Sequence, residues 1–178
     1  MTEPSMSGHA DATPDLAPML ERRRIEAEIL AHVYETVKAA HGVGEARRIV
    51  ADAVRQSAIA QGKTMAEAQG GAPGLRGFEA IQPLWTRGGA LEVNVREKGA
   101  NVFAFDVTRC RYAEMYRAMG LAEIGPLLSC QRDGSFCEGY DPRIKFTRTQ
   151  TIMQGASHCD FRYEYDADDP SEAEGGST

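Results

Sequence analysis

The chain has 178 residues, of which 42% are hydrophobic and 26% charged, and its formal net charge at pH 7 is −6. This length and composition predict one soluble globular domain with a core of its own. They exclude a membrane span, since no apolar run approaches the ~20 residues that a membrane helix needs. No signal peptide is visible at the start, so we expect a cytoplasmic protein that does not bind membranes.

The negative charge is concentrated at the two ends of the chain. Residues 1–15 and 166–178 together hold eight acidic residues and no basic ones, and we expect both segments to be disordered tails. Residues 16–165, the predicted domain, then carry 18 acidic residues (26 minus 8) against 20 basic ones. A nearly neutral body without a broad basic stripe argues against nucleic acid as a partner.

Two helices are predicted at the start of the domain. The first has an apolar stripe at three- and four-residue steps, which predicts the buried face of an amphipathic helix. The stripe consists of Ile25, Ile29, Val33, Val37 and Ala40. Residues 41–44, HGVG, end this helix, and a second helix follows over residues 45–61. Helices joined by so short a turn pack antiparallel.

The middle of the chain predicts a hairpin and then a helix. Apolar and polar residues alternate over residues 91–96 and 103–107, which is the pattern of two strands. Thr108 then stands as the N-cap of a helix over residues 109–119. Further helix is expected between residues 121 and 136, with a break near Gly125 and Pro126.

The C-terminal part predicts a second hairpin. Residues 143–152 and 158–165 alternate, and the turn falls at residues 154–157. With the first hairpin this gives roughly four antiparallel strands with helices packed on one face, an α+β fold. Arg148 lies on the apolar side of its strand. It is either a bulge or margin residue with a buried stem, or a clamp for the carboxylate of a ligand.

The four cysteines carry the strongest chemical signal. Cys110, Cys130, Cys137 and Cys159 lie far apart, which argues against a disulfide framework in a cytoplasmic chain. A zinc site built from these cysteines and His158 has little support from their spacing, and we expect no cofactor. Neither a Gly-x-Ser-x-Gly elbow nor a His-Glu-x-x-His motif occurs, which disfavours a serine hydrolase and a zincin.

Cys110 is the first candidate nucleophile. If Thr108 caps the helix, Cys110 lies in its first turn, where free N–H groups and the flanking Arg109 and Arg111 stabilise a thiolate. The alternative is a small buried structural cysteine. Cys159 is a second candidate on the sheltered side of the last strand. On a regular strand its neighbour Asp160 faces the other way, to pair with Arg162 or cap the turn.

Other side chains are candidates for proton transfer or substrate binding. His158 suits a general base, or is a polar turn residue. Asp133 lies three residues after Cys130, a spacing that places both on one face of a helix. We expect Arg132 at the surface, and Cys137 outside the site.

Several blocks of the chain, in the same order, resemble a known family. They are RRRIEAE at 22–28, TRC at 108–110, CQRD at 130–133, EGYDP at 138–142, TQTIMQG at 149–155 and CDFRY at 159–163. These blocks are similar to the L-2-amino-thiazoline-4-carboxylic acid hydrolase family. The resemblance marks Cys159 and Asp160 as a hallmark pair of the family.

The resemblance implies a hydrolase of a non-peptide carbon–nitrogen bond in a small cyclic amidine or amide, without naming this chain's substrate. A thiolate at Cys110 or Cys159 would attack the ring carbon. Asp160, Asp133 or His158 would move the proton, and Arg148 or Arg109, with Cys130 nearby, would bind a carboxylated substrate. An activated water without a covalent intermediate is the other route.

A different class of function is also open. The predicted fold is similar to the 4-vinyl reductase type of ligand-binding domain, which implies a non-enzymatic small-molecule sensor. A partner subunit, or a homo-oligomer of this chain, is compatible with the same sequence.

Overall fold

The structure is a computed structural model that describes residues 18–167. The expected tail at residues 1–15, and residues 168–178 of the expected acidic tail, lie outside the described residues. Two long helices open the fold, α1 (Met19–His41) and α2 (Val43–Glu67). Gly42, with φ of 84°, joins them, and its N–H donates to the carbonyl of Lys38 at 2.9 Å. Arg23 near the start of α1 bonds Gln61 near the end of α2 at 2.8 Å, so the pair is antiparallel as predicted.

The predicted inner face of α1 is wrong except at Val37, which packs against the core. Ile25, Ile29 and Val33 are exposed, and Ile29 keeps 64% of its surface accessible. The residues that α1 buries are Met19, Arg23, Ala27 and Tyr34. This second stripe has the same helical spacing, and the small Ala27 lets α1 approach its neighbours closely. Periodicity alone does not decide between two such stripes, because each satisfies the three- and four-residue rule.

Short elements connect the helix pair to the sheet. They are α3 (Gly74–Ile81), α4 (Pro83–Thr86) and a 3₁₀ turn (Arg87–Gly89). Leu75 and Phe78 of α3 are buried against the sheet. The backbone N–H of Gly74 donates to the buried carboxylate of Asp141 at 3.0 Å, which fixes the start of α3.

The described residues form one antiparallel sheet of four strands, as predicted. The strands are β1 (Leu91–Lys98), β2 (Val102–Cys110), β3 (Ile144–Thr147) and β4 (Cys159–Tyr165), in the spatial order β1-β2-β4-β3. Phe105 lies opposite Phe161, and Phe103 lies opposite Tyr163. These aromatic pairs cover the inner face of the sheet, on which the helices pack.

Several predicted boundaries differ from the structure, among them the end of the second helix, which lies at Glu67, and two of these differences bear on the site. The strand of residues 143–152 ends at Thr147, because the chain then enters a loop with a 3₁₀ turn, Ile152–Gln154. β2 continues to Cys110, so the expected cap residue Thr108 is part of the strand and its hydroxyl faces the carbonyl of Glu92. The next helix, α5 (Arg111–Ala118), begins after Cys110, which occupies the N-cap position itself.

Two helical segments separate α5 from the last strands. A π-helical turn covers Pro126–Cys130, and α6 covers Arg132–Tyr140. Backbone meets backbone where α2 crosses α6: a Cβ at Gly62 would lie 2.3 Å from the carbonyl oxygen of Phe136, and one at Gly139 would lie 2.0 Å from that of Ile59. Glycine at both positions therefore permits this close crossing. No helix within residues 18–167 is long and apolar enough to cross a membrane.

Candidate functional site

A cavity of about 80 Å³ lies between the helices and the inner face of the sheet. One water needs only about 10–15 Å³ on the same measure, so the cavity has room for a small organic molecule. Its apolar wall is largely aromatic and comprises Phe78, Trp85, Phe105, Phe136, Phe161 and Tyr163, with Leu91, Val107 and Met153. Its polar wall comprises Arg23, Gln61, Gln82, Tyr112, Ser129, Arg132, Asp133 and Arg148. An apolar chamber with a few convergent polar groups is typical of a ligand site.

Three cysteines from different parts of the chain line this cavity. Cys110 is the last residue of β2, Cys130 is the last residue of the π-helical turn, and Cys159 is the first residue of β4. All are free thiols. Cys159 lies beside β2 because it pairs with Val107. The fourth cysteine, Cys137, is buried in α6 and is not part of the cavity wall.

The surroundings of the thiols favour the neutral form. Burial raises the pKa of Cys110 to about 11, although the N–H groups of Ala113 and Tyr112 at the start of α5 oppose this. Burial likewise raises the pKa of Cys130 to about 12. The expectation of a stabilised thiolate at Cys110 is therefore wrong, because the loss of water outweighs the helix N-terminus.

Cys159 differs from the other two by its hydrogen bond. Its sulfur accepts the backbone N–H of Ile152 at 3.2 Å. Burial still raises the pKa of Cys159, but this N–H and the charge of Arg148 act in the opposite direction. Both groups would stabilise negative charge on the sulfur if a reaction produced it.

Asp133 and Arg148 form an ion pair at the cavity wall. The other terminal nitrogen of Arg148 donates to the carbonyl of Cys130 at 2.8 Å, and its guanidinium lies over the rings of Phe146 and Phe161. Asp133 keeps 30% of its side chain accessible. The surrounding protein nevertheless raises its pKa, against the attraction of Arg148. Arg148 thus lies inward and is already paired with Asp133. A ligand carboxylate that bound Arg148 would have to share it with Asp133 or displace Asp133 from it.

Asp160, His158 and Arg109 are not part of the cavity wall. The Asp160 carboxylate accepts from the N–H groups of Thr149 at 3.0 Å and Gln150 at 2.9 Å and from the Thr149 hydroxyl at 2.6 Å. Burial opposes ionisation of Asp160, but these donors hold its pKa below the usual range. Because Cys159 faces the cavity, strand alternation turns Asp160 to the other face.

His158 and Arg109 have partners of their own outside the cavity. His158 lies within hydrogen-bond distance of the Gln150 amide, at 3.0 Å, and of the Ser157 hydroxyl, also at 3.0 Å. Arg109 is exposed and pairs with Glu114 at 2.8 Å. Neither side chain belongs to the cavity wall, so a direct role of either one in substrate binding or turnover stays a prediction. The structure thus brings together Cys110, Cys130, Asp133, Arg148 and Cys159.

Sequence reasoning missed the buried arginines. Arg132, expected at the surface, is only 6% exposed, and Arg23 only 4%. Both line the cavity, near Gln61. Arg23 occupies the same helix stripe as Ala27 and Tyr34, which is the only sign in the sequence that it faces inward. Among residues 18–167, no group of three or more His, Cys, Asp or Glu is placed to hold a metal ion.

Comparison with known proteins bears on this site in two ways. The family described as L-2-amino-thiazoline-4-carboxylic acid hydrolase matches residues 22–163, which span both the helix pair and the sheet. No curated protein matches the chain. Among solved structures, the phenol-responsive sensory domain of the transcription activator PoxR with phenol has a TM-score of 0.50 at 14% identity, over 78% of this chain and 73% of that one. This likeness concerns the fold alone.

Proposed function

We propose that this chain, which belongs to the L-2-amino-thiazoline-4-carboxylic acid hydrolase family, hydrolyses a non-peptide carbon–nitrogen bond in a small cyclic amidine or amide. The observation that carries the proposal is the convergence of Cys159, Asp133 and Arg148 on one aromatic-lined cavity. A nucleophile, a proton carrier and a cation are the groups that such a reaction needs.

Cys159 is the proposed nucleophile. It accepts an N–H bond from Ile152, and Arg148 favours its charged form. Because burial keeps the thiol neutral at rest, the thiolate has to be formed as the attack occurs. Asp133 lines the same cavity and is the proposed acceptor of the thiol proton.

The chemistry then follows in two stages. The sulfur bonds to the ring carbon while the electron pair of its double bond moves to the attached nitrogen or oxygen. When that double bond re-forms, the ring carbon–nitrogen bond breaks and the nitrogen takes the proton from Asp133. Water then adds to the carbon of this intermediate, which is a thioester when the substrate is an amide and a thioimidate when it is an amidine. The carbon–sulfur bond breaks, the sulfur takes the proton that Asp133 received from the water, and the opened product leaves with the Cys159 thiol restored.

The decisive experiment is a hydrolysis screen of the purified protein on L-2-amino-thiazoline-4-carboxylic acid and on a panel of cyclic amidines, lactams and ureides. Each is measured with and without chelator. Turnover that disappears in Cys159→Ser supports the covalent route. Turnover that survives in Cys159→Ser, Cys110→Ser and Cys130→Ser alike would favour an activated water, and absence of turnover throughout would contradict the hydrolase.

A second candidate is a non-enzymatic small-molecule receptor. Two observations favour it: the raised pKa of Cys110 and Cys130, which favours the neutral and less nucleophilic thiol near neutral pH, and the fold shared with a phenol-responsive sensory domain. A receptor would bind small ring compounds without turnover, and its cysteines would react uniformly slowly with iodoacetamide. An enzyme would contain one cysteine that is alkylated faster than the others and is protected by substrate.

A further inference from the structure

The protein interior contains a hydrogen-bond donor without a partner. Among the buried side-chain nitrogen and oxygen atoms of the described residues, the Nε of Arg132 alone has no hydrogen-bond partner. A buried donor without an acceptor is costly and calls for an explanation. Arg132 lines the cavity, so a ligand bound there can supply an acceptor.

The charges around Arg132 do not balance. Arg23 lies beside it in the cavity wall, and the two share the carboxylate of Glu26, at 2.5 Å from Arg23 and 3.9 Å from Arg132. Arg22 also bonds Glu26, at 2.9 Å. One carboxylate therefore serves three guanidinium groups, two of which are buried.

The remaining contacts of the two buried arginines are neutral. Arg23 donates to the Gln61 carbonyl oxygen at 2.8 Å. Arg132 donates to the same oxygen at 3.2 Å and to the Ser57 hydroxyl at 3.3 Å. Burial and the neighbouring Arg23 lower the pKa of Arg132 to about 10, which still leaves it charged at neutral pH. The other ion pair of the cavity wall, Asp133 with Arg148, is already matched and adds no compensating negative charge.

We propose that Arg23 and Arg132 form an anion-binding subsite of the cavity that takes a carboxylate group of the ligand. A carboxylate accepts strong, charge-assisted N–H bonds from a guanidinium, and the Nε–H of Arg132 is a donor that no protein acceptor occupies. Arg148 and Arg109, expected earlier to hold the carboxylate, are paired with Asp133 and Glu114 instead. The inference that this carboxylate belongs to the substrate rests on the proposed function. The inference that the two arginines bind a carboxylate does not.

The subsite also orients the ligand. Arg23 and Arg132 come from α1 and α6, whereas Cys159 begins β4 in the sheet. A ring whose carboxylate lies on the arginines would therefore extend across the aromatic chamber, with its remaining atoms facing the thiols. Regiochemistry of ring opening would then be set by where the carboxylate is held.

The test uses two ligands that differ in charge and cannot be ring-opened as an amidine. Thiazole-4-carboxylate and its uncharged analogue 4-acetylthiazole are titrated into the full chain by calorimetry at pH 7.5. We expect the carboxylate to bind at least about tenfold more tightly, as charge-assisted bonds to a buried guanidinium allow. Equal affinities, or no binding of either ligand, would overturn the subsite without any variant being made.

Variants then locate the subsite. Arg132→Gln and Arg23→Gln should each reduce the preference for the carboxylate to less than about threefold, while the exposed Arg109→Gln, as matched control, should keep it. An unchanged preference in both cavity variants would also overturn the assignment. If the chain binds the carboxylate but turns over no substrate, the proposed hydrolase is contradicted and the anion-binding subsite is supported. If it turns over substrates with and without a carboxylate equally well, the hydrolase is supported and the subsite is contradicted.

Discussion

Val107 of β2 lies directly opposite Cys159 of β4 in the central strand pair of the sheet. Both side chains face the helices and line the cavity. The next pair along the strands, Asp106 opposite Asp160, therefore faces the other side. The hydrogen-bonded ladder thus holds the proposed nucleophile in place.

Cys159→Ser is expected to abolish turnover and to leave stability nearly unchanged. Serine keeps the volume close to that of cysteine and can still accept the N–H of Ile152, but its hydroxyl is a far weaker acid and nucleophile at neutral pH. Initial rates on a substrate found in the screen, together with thermal unfolding, measure both effects. Cys137→Ala, at a buried cysteine outside the cavity, is the control and should keep its rate.

Stability should fall in alkaline solution partly through the cavity thiols. Because burial raises the folded-state pKa of Cys110 to about 11 and of Cys130 to about 12, the native state holds these protons more tightly than the unfolded chain. Their stabilising contribution is complete below the unfolded value of about 8.5 and is lost as the pH rises through the folded values. Each thiol adds a slope of up to about 1.4 kcal/mol per pH unit in that window.

Urea unfolding of the wild type and of Cys110→Ala/Cys130→Ala, at pH values from 7 to 10.5, checks this. The double variant should lose less stability between pH 9 and 10.5. Parallel curves for the two proteins would show that the thiols titrate normally.

Asp160→Asn should destabilise the loop that follows Arg148. The carboxylate accepts hydrogen bonds from two backbone N–H groups and one hydroxyl. An amide in its place accepts these bonds less well, so the variant should lose about 1–3 kcal/mol of unfolding free energy at pH 7. Since the pKa of Asp160 is lowered in the folded state, its contribution is present above the unfolded pKa and is lost as the pH falls through the folded one. The stabilities of the two proteins should therefore come closer together as the pH falls below the ordinary carboxyl range, and Asp52→Asn on the exposed face of α2 should cost little at any of these pH values.

A methyl group at the crossing of α2 and α6 should be poorly tolerated. In Gly139→Ala the new Cβ would lie 2.0 Å from the carbonyl oxygen of Ile59, so the helices must separate, at a cost of at least about 3 kcal/mol. Gly44→Ala is the matched control, because nothing lies within 4 Å of its Cβ in the first turn of α2. That variant should gain about 0.5–1 kcal/mol from helix propensity. Denaturant midpoints that are equal for the two variants would contradict the tight crossing.

The α+β class, the antiparallel helix pair and the four strands were predictable from the sequence because each depends on local periodicity. The placement of Cys159 inward and Asp160 outward also follows from strand alternation alone. Membership of the family, predicted from short blocks such as CDFRY, is confirmed by the match over residues 22–163.

The periodicity of the sequence did not predict the burial and surroundings of individual side chains, because these depend on how distant parts of the chain pack together. Ile29 and Ala27 both belong to regular stripes of α1, and only the packing of the helix against the rest of the fold decides which is buried. The same applies to Arg132, whose sequence neighbours give no sign of burial. The direction of the Cys110 pKa shift depends on the balance between lost water and the start of α5, which the sequence does not specify.

Trp85 is the single tryptophan of the chain and stands in the cavity wall, with its ring edge-on to Phe136 at 5.2 Å between centroids. Its fluorescence therefore arises from one place, the chamber itself. Emission intensity and wavelength give a label-free optical readout of whether that chamber holds water or a ring compound, so a ligand library can be surveyed on the native chain before any chemistry is known.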